Sequence, residues 1–131
     1  MPIFKSSEQL QEILGGFFAE LASDPIIGKK FKESNLVIKF NYKKPDLSIT
    51  IDCSGEKIEI YCNDSKIKPE VEMFMDADVA HQFWLGKVNL VMALARRQMI
   101  AKGHIPKILK LLPVIKPAYK MYPEYIKRHS L

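Results

Sequence analysis

Residues 36–62 alternate between apolar and polar side chains, and this alternation constrains the fold more than any other feature of the sequence. Successive side chains of a β-strand point to opposite faces, so three such runs predict an antiparallel meander with one apolar face. Turns are predicted at residues 43–46 and near Ser54-Gly55. We expect helices before and after the meander to cover its apolar face. The apolar positions are Leu36, Ile38, Phe40 and Tyr42, then Leu47, Ile49, Ile51 and Cys53, then Ile58, Ile60 and Cys62.

An amphipathic helix is predicted before the meander, from about Ser6 to the Asp24-Pro25 pair. Gln9 follows Ser6 at the spacing of a capping box, which is typical of a helix start. The Gly15-Gly16 pair lies inside this helix and indicates either close packing or a weak point, because glycine disfavours a helix interior. Residues 26–32 are expected to form a connector or a short helical turn. The apolar stripe of the helix is Leu10, Ile13, Leu14, Phe17, Phe18 and Leu21.

The segment 71–112 changes its structural period several times. It predicts a strand at 71–76, a helix at 77–87 that ends in a glycine, a second helix at 89–97, a strand at 98–103 and a third helix at 105–112. Many of its side chains are large, flexible and apolar, which suits either an ordinary core or the wall of an apolar cavity. Prolines at 106, 113, 117 and 123 predict short, bent helices in the C-terminal part.

The length of 131 residues predicts a single domain over 1–131, with residues 113–131 as an extended basic C-terminal segment. The net charge of +5 is uneven, since residues 87–131 contain 10 Lys or Arg and Glu124 as their one acidic residue. Such a basic region suits an anionic partner, or it is simply a solvated face. Nucleic acid is not an expected partner, because the outward residues of the strands are mixed in sign.

The cysteines and the termini suggest a cytoplasmic protein. The N-terminus has no basic region followed by an apolar core, and no apolar run approaches the ~20 residues that span a bilayer. In either plausible register Cys53 lies opposite Glu56 or Ile58 and not opposite Cys62, so we expect no disulfide. The two cysteines lack suitably spaced histidines, so neither a metal site nor a cofactor is expected.

Asp76, Asp78 and His81 superficially suggest acid–base chemistry. No nucleophile, phosphate-binding loop or metal-ligand spacing accompanies them, so we interpret the two carboxylates as helix caps and expect no enzyme activity.

The order of these elements resembles the sterol carrier protein type 2 family. The residues that carry the resemblance are Met75-Asp76-Ala77-Asp78, Phe83, Gly86-Lys87, Asn89, Ala93 and Lys102-Gly103, followed by the apolar helix to Leu112. The sequence departs from the family pattern at Leu90, where proline is usual, at Arg96-Arg97, where a glycine-containing turn is usual, and at His104, where an acidic residue is usual. Because the C-terminal His129-Ser130-Leu131 is not the peroxisomal signal, stand-alone prokaryotic members fit better.

The resemblance implies an α+β fold with a mixed, mainly antiparallel five-stranded sheet, helices over one face and an apolar tunnel. It also implies non-catalytic binding and carriage of a sterol, fatty acid, fatty acyl-CoA or isoprenoid-like lipid. The alternative is an accessory module that presents lipid intermediates to a biosynthetic enzyme complex. Further expected partners are a transient anionic membrane surface and a second copy of the chain, which could pair at an exposed strand edge.

The predicted sites follow from this interpretation. Ligand contact is expected from the large apolar side chains, with membership of the core as the alternative for each of them. Headgroup or membrane contact is expected from basic residues, with a place on solvated helix ends as the alternative. The predicted ligand-binding residues are Phe17, Phe18, Met73, Met75, Val79, Phe83, Trp84, Leu90, Met92, Met99, Ile105, Ile108, Leu109 and Leu112, and the headgroup residues are Arg96, Arg97, Lys107 and Lys110.

Overall fold

The computed structural model describes residues 3–129, so Ser130 and Leu131 of the C-terminal tripeptide lie outside the described residues. A helical N-terminal part precedes a meander of three strands, and helices and two further strands follow. The elements are α1 (Ser7–Leu10), a π-helical segment (Gln11–Gly15), α2 (Gly16–Ser23), α3 (Ile27–Ser34), β1 (Val37–Lys43), β2 (Leu47–Asp52), β3 (Glu59–Cys62), β4 (Val71–Asp76), α4 (Ala77–Trp84), α5 (Leu90–Ala95), β5 (Met99–Gly103), α6 (Ile105–Lys110), α7 (Leu112–Ile115) and α8 (Ala118–Arg128).

The strands form one five-stranded sheet in the order β3-β2-β1-β4-β5. Strands β1 and β4 are parallel, and the other neighbouring pairs are antiparallel. The predicted mixed, mainly antiparallel sheet is therefore confirmed. In this register Cys62 lies opposite Ile49, and neither cysteine is in a disulfide.

The alternation of residues 36–62 places the apolar side chains on the face that the helices cover. Ile38 and Tyr42 of β1 and Ile49 of β2 are buried there. The expectation of a wet opposite face fails at Thr50, which is fully buried. Its direct cross-strand neighbours are Lys39 and Tyr61, and side chains in such positions lie close enough to shield a small residue between them.

The N-terminal helix begins where its capping signal predicted. The Ser6 hydroxyl accepts a hydrogen bond from the backbone N–H of Gln9 at 3.1 Å. Residues 27–34 form a full helix, where the sequence had indicated only a connector or short turn. The carboxylate of Asp24 accepts hydrogen bonds from the backbone N–H groups of Ile26 and Ile27, at 3.0 and 2.9 Å, and so starts this helix.

The segment after the meander follows its predicted order closely. Strand β4 spans the predicted residues, and α4 ends before Gly86, whose φ of 80° is the left-handed conformation that glycine adopts without a Cβ penalty. The prediction that aspartates cap α4 is wrong. Asp76 occupies the N-cap position without a side-chain cap, and the Asp78 carboxylate instead accepts a hydrogen bond from the Ile3 N–H at 3.0 Å.

The C-terminal segment packs back on the rest of the fold. Prolines separate it into α6, α7 and α8, as predicted, and Tyr122 and Tyr125 of α8 are buried. The Tyr125 hydroxyl donates a hydrogen bond to the Glu12 carbonyl at 3.2 Å, and the Tyr122 ring packs on the Phe17 ring at 4.9 Å between centroids. Residues 118–128 therefore pack on the fold through these buried tyrosines.

Candidate functional site

An apolar cavity lies between the helix-covered face of the sheet and the helices α2 to α7. The volume that the centres of water-sized molecules can occupy in it is about 60 Å³. The cavity is lined by Phe18, Leu21 and Ala22 of α2, Phe31 of α3, Ile38, Phe40 and Tyr42 of β1, Ile51 of β2, Ile58 before β3, Met73 and Met75 of β4, Phe83 and Trp84 of α4, Leu90 of α5, Met99 of β5, Ile108 of α6, and Leu111, Leu112 and Ile115 in or beside α7.

The chemistry of this lining is almost uniform. Tyr42 and Trp84 are the two lining residues whose side chains carry an O–H or N–H group, and the lining contains no charged side chain. Such walls favour apolar molecules, because each polar group buried without a partner costs a few kcal/mol. The lining is therefore chemically suited to hydrocarbon rather than to charged groups.

Aromatic rings hold one wall of the cavity in place. The Phe18 ring stacks on the Phe40 ring at 5.3 Å between centroids and meets the Trp84 indole edge-on at 5.7 Å. Phe83 packs edge-on against Trp84 at 5.0 Å. These contacts join α2, β1 and α4, so the position of the single tryptophan of the chain depends on the packing of the wall.

Many of the residues predicted as ligand contacts come together in this lining. They derive from seven different elements, which are α2, β4, α4, α5, β5, α6 and α7. The predicted residues that line the cavity are Phe18, Met73, Met75, Phe83, Trp84, Leu90, Met99, Ile108 and Leu112.

Five other predicted contacts lie elsewhere: Phe17, Val79, Met92, Ile105 and Leu109 are not in the cavity lining. Neighbouring helix positions differ by about 100° in direction, which explains most of these cases. Phe17 turns from the Phe18 side toward Tyr122 and Tyr125, and Leu109 turns outward from Ile108.

The remaining cases also follow from helix geometry. Met92 is 47% exposed because Leu90 and Ala93 are the residues of α5 that face inward. Ile105 lies half-buried one turn before Ile108, at the start of α6. Val79 lines a different space, the open groove described below.

Several lining residues were missing from the predicted site. Most lie on the apolar sheet face or the first helical stripe, so the signal was present but had been interpreted as core. Phe31 gave no such signal, because α3 was not predicted as a full helix, and Ala22 is not part of the apolar stripe predicted for the first helix. The missed residues are Leu21, Ala22, Phe31, Ile38, Phe40, Tyr42, Ile51, Ile58, Leu111 and Ile115.

A second, open groove adjoins the cavity. The volume that the centres of water-sized molecules can occupy in this groove is about 710 Å³. Tyr42 and Met75 line both spaces, so they lie at the partition between them. Unlike the cavity, the groove contains charged residues, which are Lys43, Asp46, Asp76, Arg97 and Lys102. Its other lining residues are Asn41, Phe74, Val79, Gln98 and Ile100.

The four predicted headgroup residues do not form one cluster. Arg97 lines the groove, whereas Arg96 and Lys110 are exposed outside it. The Lys107 ammonium pairs with the Glu70 carboxylate at 3.0 Å, so part of its charge is already compensated. Their contact with a headgroup stays a prediction.

The three residues that suggested acid–base chemistry have separate partners. His81 is buried, and its Nδ1 lies 2.8 Å from the Tyr122 hydroxyl. Burial lowers the pKa of His81, the Asp78 carboxylate opposes that shift, and Lys87 adds to it. Asp78 is engaged by the Ile3 backbone and Asp76 is exposed, so the three side chains act as separate structural groups.

Among residues 3–129, no group of three or more His, Cys, Asp or Glu side chains is arranged to hold a metal ion. No helix within the same residues is long and apolar enough to cross a bilayer.

Solved structures with a similar fold include sterol carrier domains. Sterol carrier protein 2 from Yarrowia lipolytica in its apo form aligns with a TM-score of 0.64 at 16% identity, over 86% of this chain and 91% of that one. The sterol carrier protein domain 2 of Helicoverpa armigera gives 0.67 at 15% identity, over 83% and 89%. A ubiquinone synthesis protein described as UbiJ-SCP2 gives 0.60 at 14% identity, over 86% and 89%.

Comparison of the whole sequence with curated proteins gives no match. The sequence model of the SCP-2 sterol transfer family, in contrast, matches residues 18–116, which contain the cavity lining from Phe18 to Ile115. This match covers most of the chain and agrees with the fold of the solved structures. The protein belongs to the SCP-2 sterol transfer family.

Proposed function

We propose that this protein binds an apolar lipid in the cavity between sheet and helices and carries it without chemical change. The observation that supports this most directly is the lining, which is apolar apart from the Tyr42 and Trp84 groups. Burial of hydrocarbon is worth about 0.8 kcal/mol per methylene, so an alkyl chain gains affinity with length and needs few polar contacts. A sterol, a fatty acid, a fatty acyl-CoA and an isoprenoid-like lipid share this chemistry.

The cavity must widen to accept such a ligand. Its 60 Å³ is far below the ~300–1,000 Å³ of pockets that enclose small molecules. We propose that α6 and α7 move, because Ile108, Leu111 and Ile115 form a wall on short helices that prolines separate. The burial of the lipid would offset the contacts that this wall loses.

Ala22 offers a way to fill the cavity, and Ala19 on the same helix provides a matched control. Ala22 lines the cavity, whereas Ala19 is exposed. Ala22→Leu should weaken the binding of decanol by about tenfold, because ~1–3 kcal/mol of overpacking arises when ligand and leucine share the space. Binding is measured as the saturable change in Trp84 fluorescence, since Trp84 is the single tryptophan and lies in the lining.

The control variant Ala19→Leu should bind decanol as the unmodified protein does. Circular dichroism and thermal denaturation of both variants establish that they fold. The proposal is wrong if the unmodified protein shows no saturable fluorescence change with decanol, or if Ala22→Leu and Ala19→Leu bind it equally well.

Exchange of the lipid at an anionic membrane surface is the accompanying proposal. Helix α5 buries Leu90 in the cavity wall and exposes Val91 and Met92, which are 57% and 47% exposed. The exposed Arg96 follows directly, and basic residues beside exposed apolar ones suit an anionic interface. A cytoplasmic location is part of this proposal, supported by the unbridged Cys53 and Cys62.

A second candidate is presentation of a lipid intermediate to a biosynthetic enzyme complex. The similarity to the protein described as UbiJ-SCP2, a ubiquinone synthesis protein, favours it. The same cavity would serve both roles, and residues 1–131 would act as one lipid-binding unit in both. Stable co-purification with an enzyme supports presentation, whereas exchange of lipid between vesicles by the isolated protein supports carriage. Pairing with a second copy at the edge strands β3 or β5 stays a prediction.

A further inference from the structure

Tyr42 is a polar residue in the apolar wall of the cavity, at the partition with the open groove. It lies on β1, the middle strand of the sheet, opposite Leu47 of β2 and Met75 of β4. Its side chain is 3% exposed, its ring is parallel to that of Phe40, and it lines the cavity. A phenylalanine at this position would fill almost the same volume without a polar atom.

The Tyr42 hydroxyl has no hydrogen-bond partner among residues 3–129. A buried polar group without a partner is destabilising, because it has lost its hydrogen bonds to water and gained none in return. Burial, with smaller contributions from Tyr122 and Cys62, raises the pKa of Tyr42 well above its ordinary value. The hydroxyl therefore keeps its proton at neutral pH, and this buried donor has a hydrogen bond to give.

The lining also restricts which acceptor could receive this hydrogen bond. No cationic side chain lines the cavity, and the nearest space with basic residues is the open groove beyond Tyr42 and Met75. A carboxylate drawn beside the buried hydroxyl would lose its hydration without a counter-ion, which is costly. An uncharged hydroxyl or carbonyl oxygen carries no such penalty and satisfies the donor.

We propose that the Tyr42 hydroxyl donates a hydrogen bond to an uncharged hydroxyl or carbonyl oxygen of the bound lipid. This inference rests on the proposed lipid-binding function and narrows its ligand class to neutral oxygenated lipids. A fatty acid would be disfavoured in this position, and a pure hydrocarbon would leave the hydroxyl unpaired. The unpaired donor is the basis of selectivity in a cavity whose other walls discriminate only by shape.

Decanol, decane and decanoate form a matched series for the test, with Trp84 fluorescence as the measurement at neutral pH. The unmodified protein should bind decanol about fivefold more tightly than decane, the effect of a net hydrogen bond of ~1 kcal/mol. Tyr42→Phe should reduce decanol binding to the level of decane and leave decane binding unchanged. The same variant without ligand should be at least as stable as the unmodified protein, because a buried unpaired hydroxyl is removed.

Thr50 supplies the matched control, because its hydroxyl is also buried without a partner among the described residues but does not line the cavity. Thr50→Val should leave the preference for decanol intact. The inference is overturned if Tyr42→Phe keeps that preference, if it loses decane binding as well, or if decanoate binds most tightly. Absence of saturable binding of all three compounds by the unmodified protein would instead refute the proposed lipid-binding function itself.

Discussion

At the scale of single residues, Arg97 combines an unfavourable backbone conformation with a place in the open groove. Its φ of 61° lies in the left-handed region, where the end of α5 is closed by a hydrogen bond from the Gln98 N–H to the Ala93 carbonyl at 2.9 Å. Glycine is the usual residue at such a helix end, and a side chain there costs roughly 1–2 kcal/mol. The sequence retains an arginine whose side chain lines the groove.

Replacing Arg97 by glycine should therefore raise the stability of the protein and weaken its binding to anionic membranes. Arg97→Gly should raise the free energy of unfolding by up to about 1 kcal/mol, because the left-handed conformation is relieved. It should also weaken binding to vesicles that contain anionic lipid by about fivefold, since a basic residue near such a surface contributes ~1 kcal/mol. Urea denaturation and vesicle co-sedimentation measure the two effects.

Arg97→Ala serves as the control, because it removes the charge and keeps the left-handed side-chain strain. It should show the vesicle effect without the gain in stability. Undiminished binding of Arg97→Gly to anionic vesicles would contradict the predicted headgroup contact of this residue.

At the scale of elements, the docking of α8 on the N-terminal helix depends on Gly16. A Cβ at this position would collide with the hydroxyl of Tyr125, which is buried and hydrogen-bonded to the Glu12 carbonyl. The two Nη2 contacts of Arg128 with the Glu20 carboxylate, at 2.9 and 3.1 Å, lie at the exposed edge of the same interface. The sequence left two interpretations of Gly15-Gly16 open, and at Gly16 close packing is the observed one.

Gly15, the other glycine of the pair, provides the control for this contact. Gly16→Ala should lower the free energy of unfolding by about 1–3 kcal/mol, the usual cost of overpacking, because the Tyr125 ring must shift and lose its hydrogen bond. Gly15→Ala meets no atom closer than Gln11 Cγ at 4.0 Å and should raise stability by ~0.5–1 kcal/mol, because alanine favours the helix. Thermal denaturation of both variants checks this, and equal melting temperatures would refute the packing role of Gly16.

At the scale of the whole molecule, local periodicity predicted more of the fold than of the cavity. The alternation of residues 36–62 predicted the apolar face of the sheet. Gly86 and the prolines predicted most of the helix ends. Both signals depend only on residues that are close together in the sequence. The side of α2 that reaches the cavity, and the outward direction of Met92, depend on how helices rotate against the sheet. That rotation is set by contacts between distant residues, such as Phe18 with Phe40.

The small volume of the cavity belongs to this scale too. Residues from α2 to α7 surround a space smaller than a lipid, and this volume depends on contacts between distant residues that sequence periodicity does not predict. The family match and the fold agree, and the apolar lining supports the proposed apolar ligand. In the proposed function the helical wall moves on binding, so a lipid-bound protein would differ from the structure with the small cavity.

Native mass spectrometry of the protein purified from cells tests the central claim most directly. The account predicts a major species heavier than the bare chain by the mass of one lipid, which is released on denaturation and identified in the extract. It also predicts that Ala22→Leu shifts the population toward the bare chain, while Ala19→Leu does not. Detection of the bare chain alone, for the unmodified protein under conditions that preserve lipid in a known carrier, would contradict the account.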